Sequence, residues 1–214
     1  MRREARIGDG GELNCFGAVV NDDTLHELRL PVTRENRAQV AWSRMYIDDK
    51  KGQASKYVAN LKDMYGTGVS TWCLLYNATG DSLRYSNSHS WLGGSIYNPG
   101  YPEEIGNGQW AAFLHVHGEV MVGSLGAVVY RGKNRHGQDQ DFLLAWSTPW
   151  NPIYTNKAYC EFGPVNIYEE RWDEMANRLD QSGYVSHFTV DGVEVHAETE
   201  RGGSPMFTAT IKLS

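Results

Sequence analysis

Cysteine is scarce in this chain: three thiols, Cys15, Cys73 and Cys160, in 214 residues. So small and odd a number builds no disulfide framework, and no pair has the spacing of metal ligands. Reduced thiols in an intracellular protein are the expected state. Long hydrophobic runs are missing too. No stretch approaches the ~20 apolar residues of a membrane span. The charged start, Met-Arg-Arg-Glu-Ala-Arg, leads to no apolar core of a leader; Phe16 to Val20 is short and Asn-Asp-Asp follows it. No secretory signal is therefore expected, and the location assigned is cytoplasmic. Basic excess is lacking: 20 Lys and Arg stand against 26 Asp and Glu, a net charge of −6. That argues against nucleic acid as a partner. Anionic lipid would repel such a surface, so any membrane contact would rest on neutral headgroups or aromatic insertion. Finally, there is no Gly-x-Ser-x-Gly elbow, no phosphate-binding loop and no dinucleotide fingerprint. The sequence reads as non-enzymatic, with no catalytic residue, cofactor or metal expected.

What is present is a globular pattern. Hydrophobic residues make up 41% and charged residues 21%, and the length suits one sizeable core. Residues 1–32 read as an N-terminal extension, either an appendage or an N-terminal strand: Gly8-Asp9-Gly10-Gly11 is flexible in character, and Leu28-Arg29-Leu30-Pro31 looks like an extended lead-in. Residues 33–65 are helical. Thr33 is the expected N-cap, and Ala54, Tyr57, Val58, Leu61, Met64 and Tyr65 form one face at three- and four-residue spacing. A break is expected near Asp48 to Gly52, and Gly66 ends the second segment. From Val69 the periodicity becomes that of strands: 69–76, 82–86, 95–97, 109–116, 125–131, 141–147, 158–162, 184–190, 193–199 and 205–213. Asn77 to Gly80 is a turn by its chemistry, and Asp191-Gly192 is a hairpin signal. A short helix interrupts the rhythm over 169–179. Ten short strands with turns between them predict a mainly β fold, a sandwich flanked by one or two helices, in a single domain over 33–214.

Particular motifs point further. Asn-Ala-Thr-Gly (77–80), Asn-Gly-Gln-Trp (107–110) followed by Phe-Leu-His-Val-His (113–117), and Gly-Ala-Val-Val-Tyr-Arg (126–131) together resemble the plant 23-kDa jasmonate-induced protein family, from about Val40 to the end. That resemblance implies a stress- or jasmonate-responsive protein. More distantly, the order Asn-x-x-Gly, Pro-x-x-Ile-x-x-Gly, Gly-Ala-Val, Ser-x-Pro-aromatic and Tyr-x-Asn, over roughly Thr71 to Tyr168, is similar to the actinoporins. Those are pore-forming cytolysins on a β-sandwich, a scaffold shared with fungal fruit-body lectins. The actinoporin likeness implies a pocket for a choline-type (phosphocholine) lipid headgroup around Ser147, Pro149, Trp150 and Tyr154. Leu125 and, more loosely, Ser95 fall near further positions of that pocket. Aromatic faces suit a quaternary ammonium and a hydroxyl suits phosphate. This sequence departs from the pattern on the following helix, which has no tyrosine and whose Asp173 and Glu174 would make the site acidic.

Several readings compete. The leading one is a non-enzymatic protein that contacts a lipid headgroup or a glycan through the loop after the Phe142 to Ser147 strand. A membrane-permeabilising cytolysin is the alternative, opposed by a twelve-residue helix, Ala54 to Tyr65, that carries Lys56, Lys62 and Asp63. The third is an intracellular stress or storage protein without a small ligand. Seven Trp and twelve Tyr are many to bury; Trp91, Trp110, Trp150 or Trp172 could stack on a sugar, or simply fill the core. His115 and His117 alternate along one strand, with His89, His187 and His196 elsewhere, and read as structural or surface histidines. Cys73 reads as inert core, and Asp139 and Asp141 as a solvated hairpin end.

Overall fold

The computed structural model describes residues 14–119 and 121–214, so the expected flexible stretch at Gly8 to Gly11 lies outside the described residues. In chain order the elements are β1 (Cys15–Phe16), α1 (Asp22–Glu27), α2 (Arg34–Ser43), a 3-10 turn at Ile47–Asp49, α3 (Lys50–Tyr65), β2 (Ser70–Ala78), β3 (Leu83–Trp91), β4 (Ser95–Ile96), β5 (Glu104–Ile105) and β6 (Trp110–Val116). Then come β7 (Ser124–Lys133), β8 (Asp139–Thr148), β9 (Lys157–Pro164), α4 (Trp172–Asp180), β10 (Val185–Val190), β11 (Val193–Thr199) and β12 (Met206–Leu213). The fold is mainly β, as the strand rhythm predicts.

Two sheets face each other. The first runs β1-β6-β2-β12-β11-β10, with β4 also on the outer edge of β6; the second runs β5-β3-β7-β8-β9. Among the described residues every pairing is antiparallel except β12 on β2, where Met206 lies opposite Trp72. Strand alternation divides the side chains between layers. From β2, Cys73 and Leu75 join Ala111 and Phe113 of β6 and Phe142, Leu144 and Trp146 of β8 in the core between the sheets. The opposite faces of β2 and β6, with Leu74, Tyr76, Trp110, Ala112 and Leu114, pack under α2 and α3. On the outer face of the second sheet, Ala127, Val129, Leu143 and Ala145 are covered by Met175 and Leu179 of α4. Strands covered on both faces read as continuous apolar runs rather than alternating ones.

The helical region differs from expectation in one respect. α3 starts at Lys50, so Gly52 lies inside it. The break comes earlier, where Asp48 and Asp49 take φ of 58° and 53°, angles that Asp tolerates better than most residues. Of the two readings of the N-terminal stretch, residues 14–32 follow the strand: β1 pairs with Ala111 and Trp110 of β6, and Val20 and Leu25 are buried. Asn21 caps α1 by accepting from the Thr24 N–H at 3.1 Å, while Thr24 Oγ1 accepts from the Asn21 N–H, a reciprocal cap. Asp141, read as solvated, is buried and forms a two-pronged ion pair with Arg131 at 2.8 and 3.0 Å.

The turn at 77–80 ties the sheets together. Fully buried Asn77 donates from Nδ2 to the carbonyls of Asp81 and Ile105, both at 2.8 Å, and its Oδ1 accepts from the N–H and hydroxyl of Thr79 at 3.0 and 2.8 Å. Gly80 takes φ of +85° with Arg34 pressed against it. Arg34, at the start of α2, donates to Thr79 O at 3.0 Å and to the carbonyls of Lys133 and Asn134 in the β7–β8 turn, and pairs with Asp81 at 2.8 Å. One cation thus joins turns from both sheets. Replacing Asn77 with Ala strands buried carbonyls and an N–H, and is expected to lower stability by about 3 kcal/mol. For a chain this long that is a fall in Tm of roughly 6–12 °C; an unchanged melting curve would show that the turn is held by something else.

Candidate functional site

At the far end of the sandwich from that turn, β8 runs out at Thr148 and the chain enters the segment 149–156. Pro149 has no N–H to continue the ladder. Asn151 then folds the segment back: its Oδ1 accepts from the Ile153 N–H at 3.0 Å and its carbonyl from the Tyr154 N–H at 3.1 Å. Buried Asn156 pins the far side by donating to the carbonyls of Glu200 and Gly202 at 2.7 and 2.9 Å. Gly123 passes so close to Thr148 O and Pro149 Cα that a Cβ would lie 2.4 and 2.9 Å from them, so no larger residue fits there.

This geometry opens a cleft of about 510 Å³, lined by Leu125, Ser147, Pro149, Trp150 and Tyr154 among others. Five of the six residues expected from the sequence therefore meet in one place. Ser95 does not. It sits on β4, opposite Val116 at the edge of the other sheet, and is no part of this cleft. Ser147 is buried in the floor. Trp150, Tyr154 and Ile153 are 48, 67 and 83 % exposed, and Leu92 and Met121 on the opposite rim are also exposed. Leu92 and Met121 adopt φ of 57° and 67°. Left-handed backbone is costly for such side chains, roughly 1–3 kcal/mol each, and marks functional positions when the surrounding structure enforces it. Trp150 and Met121 also border a second cleft of about 570 Å³ that includes His117 and Ser204.

α4 brings neither Asp173 nor Glu174 into the cleft lining. Glu174 turns away, pairing with Arg171 and Arg178 at 2.7 Å each; hydrogen bonds from those two arginines hold its carboxyl down at about 2. The helix instead offers Asp180 to the cleft, where it is ion-paired with Lys157. Trp172 stacks on His89, the rings 5.0 Å apart and 14° from parallel. Trp110 is fully buried and donates to Met45 O at 3.0 Å, so of the tryptophans considered for sugar stacking it is core. Leu92, Met121 and Ile153 escape a reading for polar or aromatic ligands. Their signal is an isolated large apolar residue set among turn formers, as in Trp91-Leu92-Gly93-Gly94.

Beneath the cleft lies a buried polar chain. His115 Nδ1 is 2.8 Å from Ser124 Oγ and Nε2 is 2.9 Å from Ser90 Oγ, and Thr71 Oγ1 is 2.8 Å from both Ser124 Oγ and Thr148 Oγ1. His115 and His117 do not share a face: β6 ends at Val116, and His117 packs edge-on against Tyr65. His187 and His196 face each other across β10 and β11, 6.1 Å apart. Among the described residues no cluster of three metal-binding side chains forms. Cys73 and Cys160 are buried thiols, both pushed up by burial, Cys160 to about 11.

This arrangement resembles known proteins. A family model described as Nakanori-like protein matches residues 16–214. The 23 kDa jasmonate-induced protein of Hordeum vulgare is 40% identical over 179 residues, covering 80% of this chain and 84% of that one. A jasmonate-induced protein homolog of Atriplex canescens is 32% identical over 146 residues, covering 67% of this chain and 76% of that one. Among solved structures, the crystal structure of the lipid binding protein Nakanori superposes with a TM-score of 0.82 at 26% identity, covering 92% of this chain and 99% of that one.

Burial forces His115 to stay neutral, lowering its pKa to about 3. An unfolded histidine, near 6.5, takes a proton that the folded one refuses. The stability from this site is thus complete above pH 6.5 and is lost as pH falls toward 3, by about 2 kcal/mol between pH 6.5 and 4.5. Urea unfolding across that range is expected to show this slope, and His115→Gln to flatten it. Identical slopes in both proteins would refute the assignment.

Proposed function

This chain belongs to the Nakanori-like protein family, together with the plant 23-kDa jasmonate-induced proteins, and from that premise we propose that it is a jasmonate-responsive, non-enzymatic lipid-binding protein. The observation that carries the reading is the exposed apolar rim of Leu92, Met121, Trp150, Ile153 and Tyr154 around one cleft. Contiguous exposed apolar side chains mark interaction sites. Trp and Tyr favour the headgroup level of a bilayer, where one end of the ring is apolar and the other wet. Two of these side chains are presented by strained backbone, which suits a surface kept for binding rather than for stability.

In this proposal the rim enters the interface of a neutral membrane and the cleft takes a phosphocholine headgroup. Trp150 and Tyr154 would offer ring faces to the ammonium, and the Ser147 hydroxyl and Lys157 would face the phosphate. Net charge of −6 favours zwitterionic over anionic lipid. Permeation is not required. α3 spans ~24 Å at 1.5 Å per residue against ~30 Å of hydrocarbon, and it buries Ala54, Val58 and Leu61 against the first sheet. No helix among the described residues is long and apolar enough to cross a membrane.

Flotation with phosphatidylcholine vesicles, with and without sphingomyelin and loaded with dye, tests this. Binding without leakage is expected. Trp150→Ala should weaken binding about thirtyfold, the equivalent of ~2 kcal/mol of lost aromatic burial, and Ser95→Ala should leave it unchanged. Leakage would point to the permeabilising alternative. Failure to bind either vesicle, or equal binding by Trp150→Ala, would sink the proposal, and a glycan array would then test the lectin reading.

A further inference from the structure

A further cleft lies on the helical side of the molecule, well away from the aromatic rim. Tyr76 stands five residues along β2 from Thr71, ~16 Å at the rise of a strand, and beside it the segment 17–24 meets the corner between α2 and α3. The cleft there measures about 460 Å³ and is lined by Val19, Glu27, Arg44, Ile47, Asp48 and Lys50 among others. Lys50, the first residue of α3, is only 4 % exposed. Its ammonium donates to Gly108 O at 2.7 Å and to Tyr76 Oη at 3.2 Å, and sits 5.1 Å from the centre of the Tyr76 ring. Neither Lys50 nor Arg44 is ion-paired to a carboxylate among the described residues.

Such an arrangement is costly. A buried cation is expected to have a paired carboxylate, yet here the charge closest in influence is a second cation. Burial, and then repulsion from Arg44, lower the Lys50 pKa to about 8, opposed by Asp48. The ammonium has three donors and two protein acceptors. An anion between Arg44 and Lys50 would supply the missing acceptor and relieve the repulsion. Glu27 and Asp48 on the same rim disfavour a dianion. Val19, Val20 and Ile47 give the cleft an apolar wall.

We propose that this cleft binds a small monocarboxylate with a short apolar body, its carboxylate held by Arg44 and Lys50 and its chain laid against Val19 and Ile47. The pH dependence follows from the groups that face Lys50. Those groups are Arg44, Glu27, Asp48 and the Tyr76 phenol, which burial drives upward, out of range. Lys50 loses its proton as pH rises through about 8.

Calorimetric titration of the full chain with hexanoate, hexanol and inorganic phosphate tests this. Hexanoate is expected to bind saturably at pH 7, and about tenfold more weakly at pH 9.5. Arg44→Gln, a partly buried position outside the buried core, should lose about tenfold at pH 7, the scale of one charge-assisted hydrogen bond. Hexanol should bind far less well. Hexanoate binding no tighter than hexanol, unchanged affinity in Arg44→Gln, or phosphate binding in preference to hexanoate would each overturn the assignment.

Discussion

Everything at the working end of this molecule hangs on Trp146. Its indole fills the space between the sheets, with ring centres 6.0 Å from Phe113, 5.3 Å from His115 and 5.5 Å from Phe207. A Cβ on Gly126 would meet both Trp146 and His115 at 2.9 Å, so the neighbouring strand must be bare at that point for the indole to fit. Aromatic packing of this density fixes β8 against β6 and β12. The next residues, Ser147 and Thr148, inherit that position, and with it the direction in which Pro149 to Tyr154 leave the sheet. The hydroxyl chain through Thr71, Ser124, Thr148 and His115 completes the lock with polar contacts that tolerate little displacement.

The two ends of the sandwich then take opposite characters for one reason. At the end of β2 that carries Asn77, helix α2 reaches over with Arg34 and satisfies carbonyls from both sheets, so turn residues there are buried and paired. At the other end α4 reaches the cleft only with its last turn, through Ala176, Leu179 and Asp180, and the rim above is left uncovered among the described residues. Leu92, Met121, Trp150, Ile153 and Tyr154 are left largely uncovered there. They stand exposed, and two of them do so on left-handed backbone. Buried, paired polar groups gather at the covered end, and exposed apolar side chains at the open one.

Much of the architecture was legible in the amino acids. The Asp191-Gly192 turn, with both residues at positive φ, joins β10 to β11 where the dipeptide predicts a hairpin. The shift from a three- to four-residue period to strand spacing after Tyr65 falls where α3 gives way to β2. Short or weakly patterned elements were not legible. β1, β5 and α1 bury few residues each, and they exist because β6, β3 and α2 offer them edges and pockets. Asp141 looked solvated because its partner Arg131 comes from the neighbouring strand.

The sequence by itself determined the fold class, the family likeness and the loop that carries Ser147, Pro149, Trp150 and Tyr154, because turn chemistry, periodicity and local motifs are properties of adjacent residues. Only the tertiary structure decided which tryptophans are core and which are rim, that Ser95 belongs to the other sheet while Leu92 and Met121 line one cleft with Trp150, and that Arg44 and Lys50 share a cleft in which neither is ion-paired among the described residues. Burial and charge neighbourhood depend on residues brought together from distant parts of the chain, and no local pattern encodes which of them will meet.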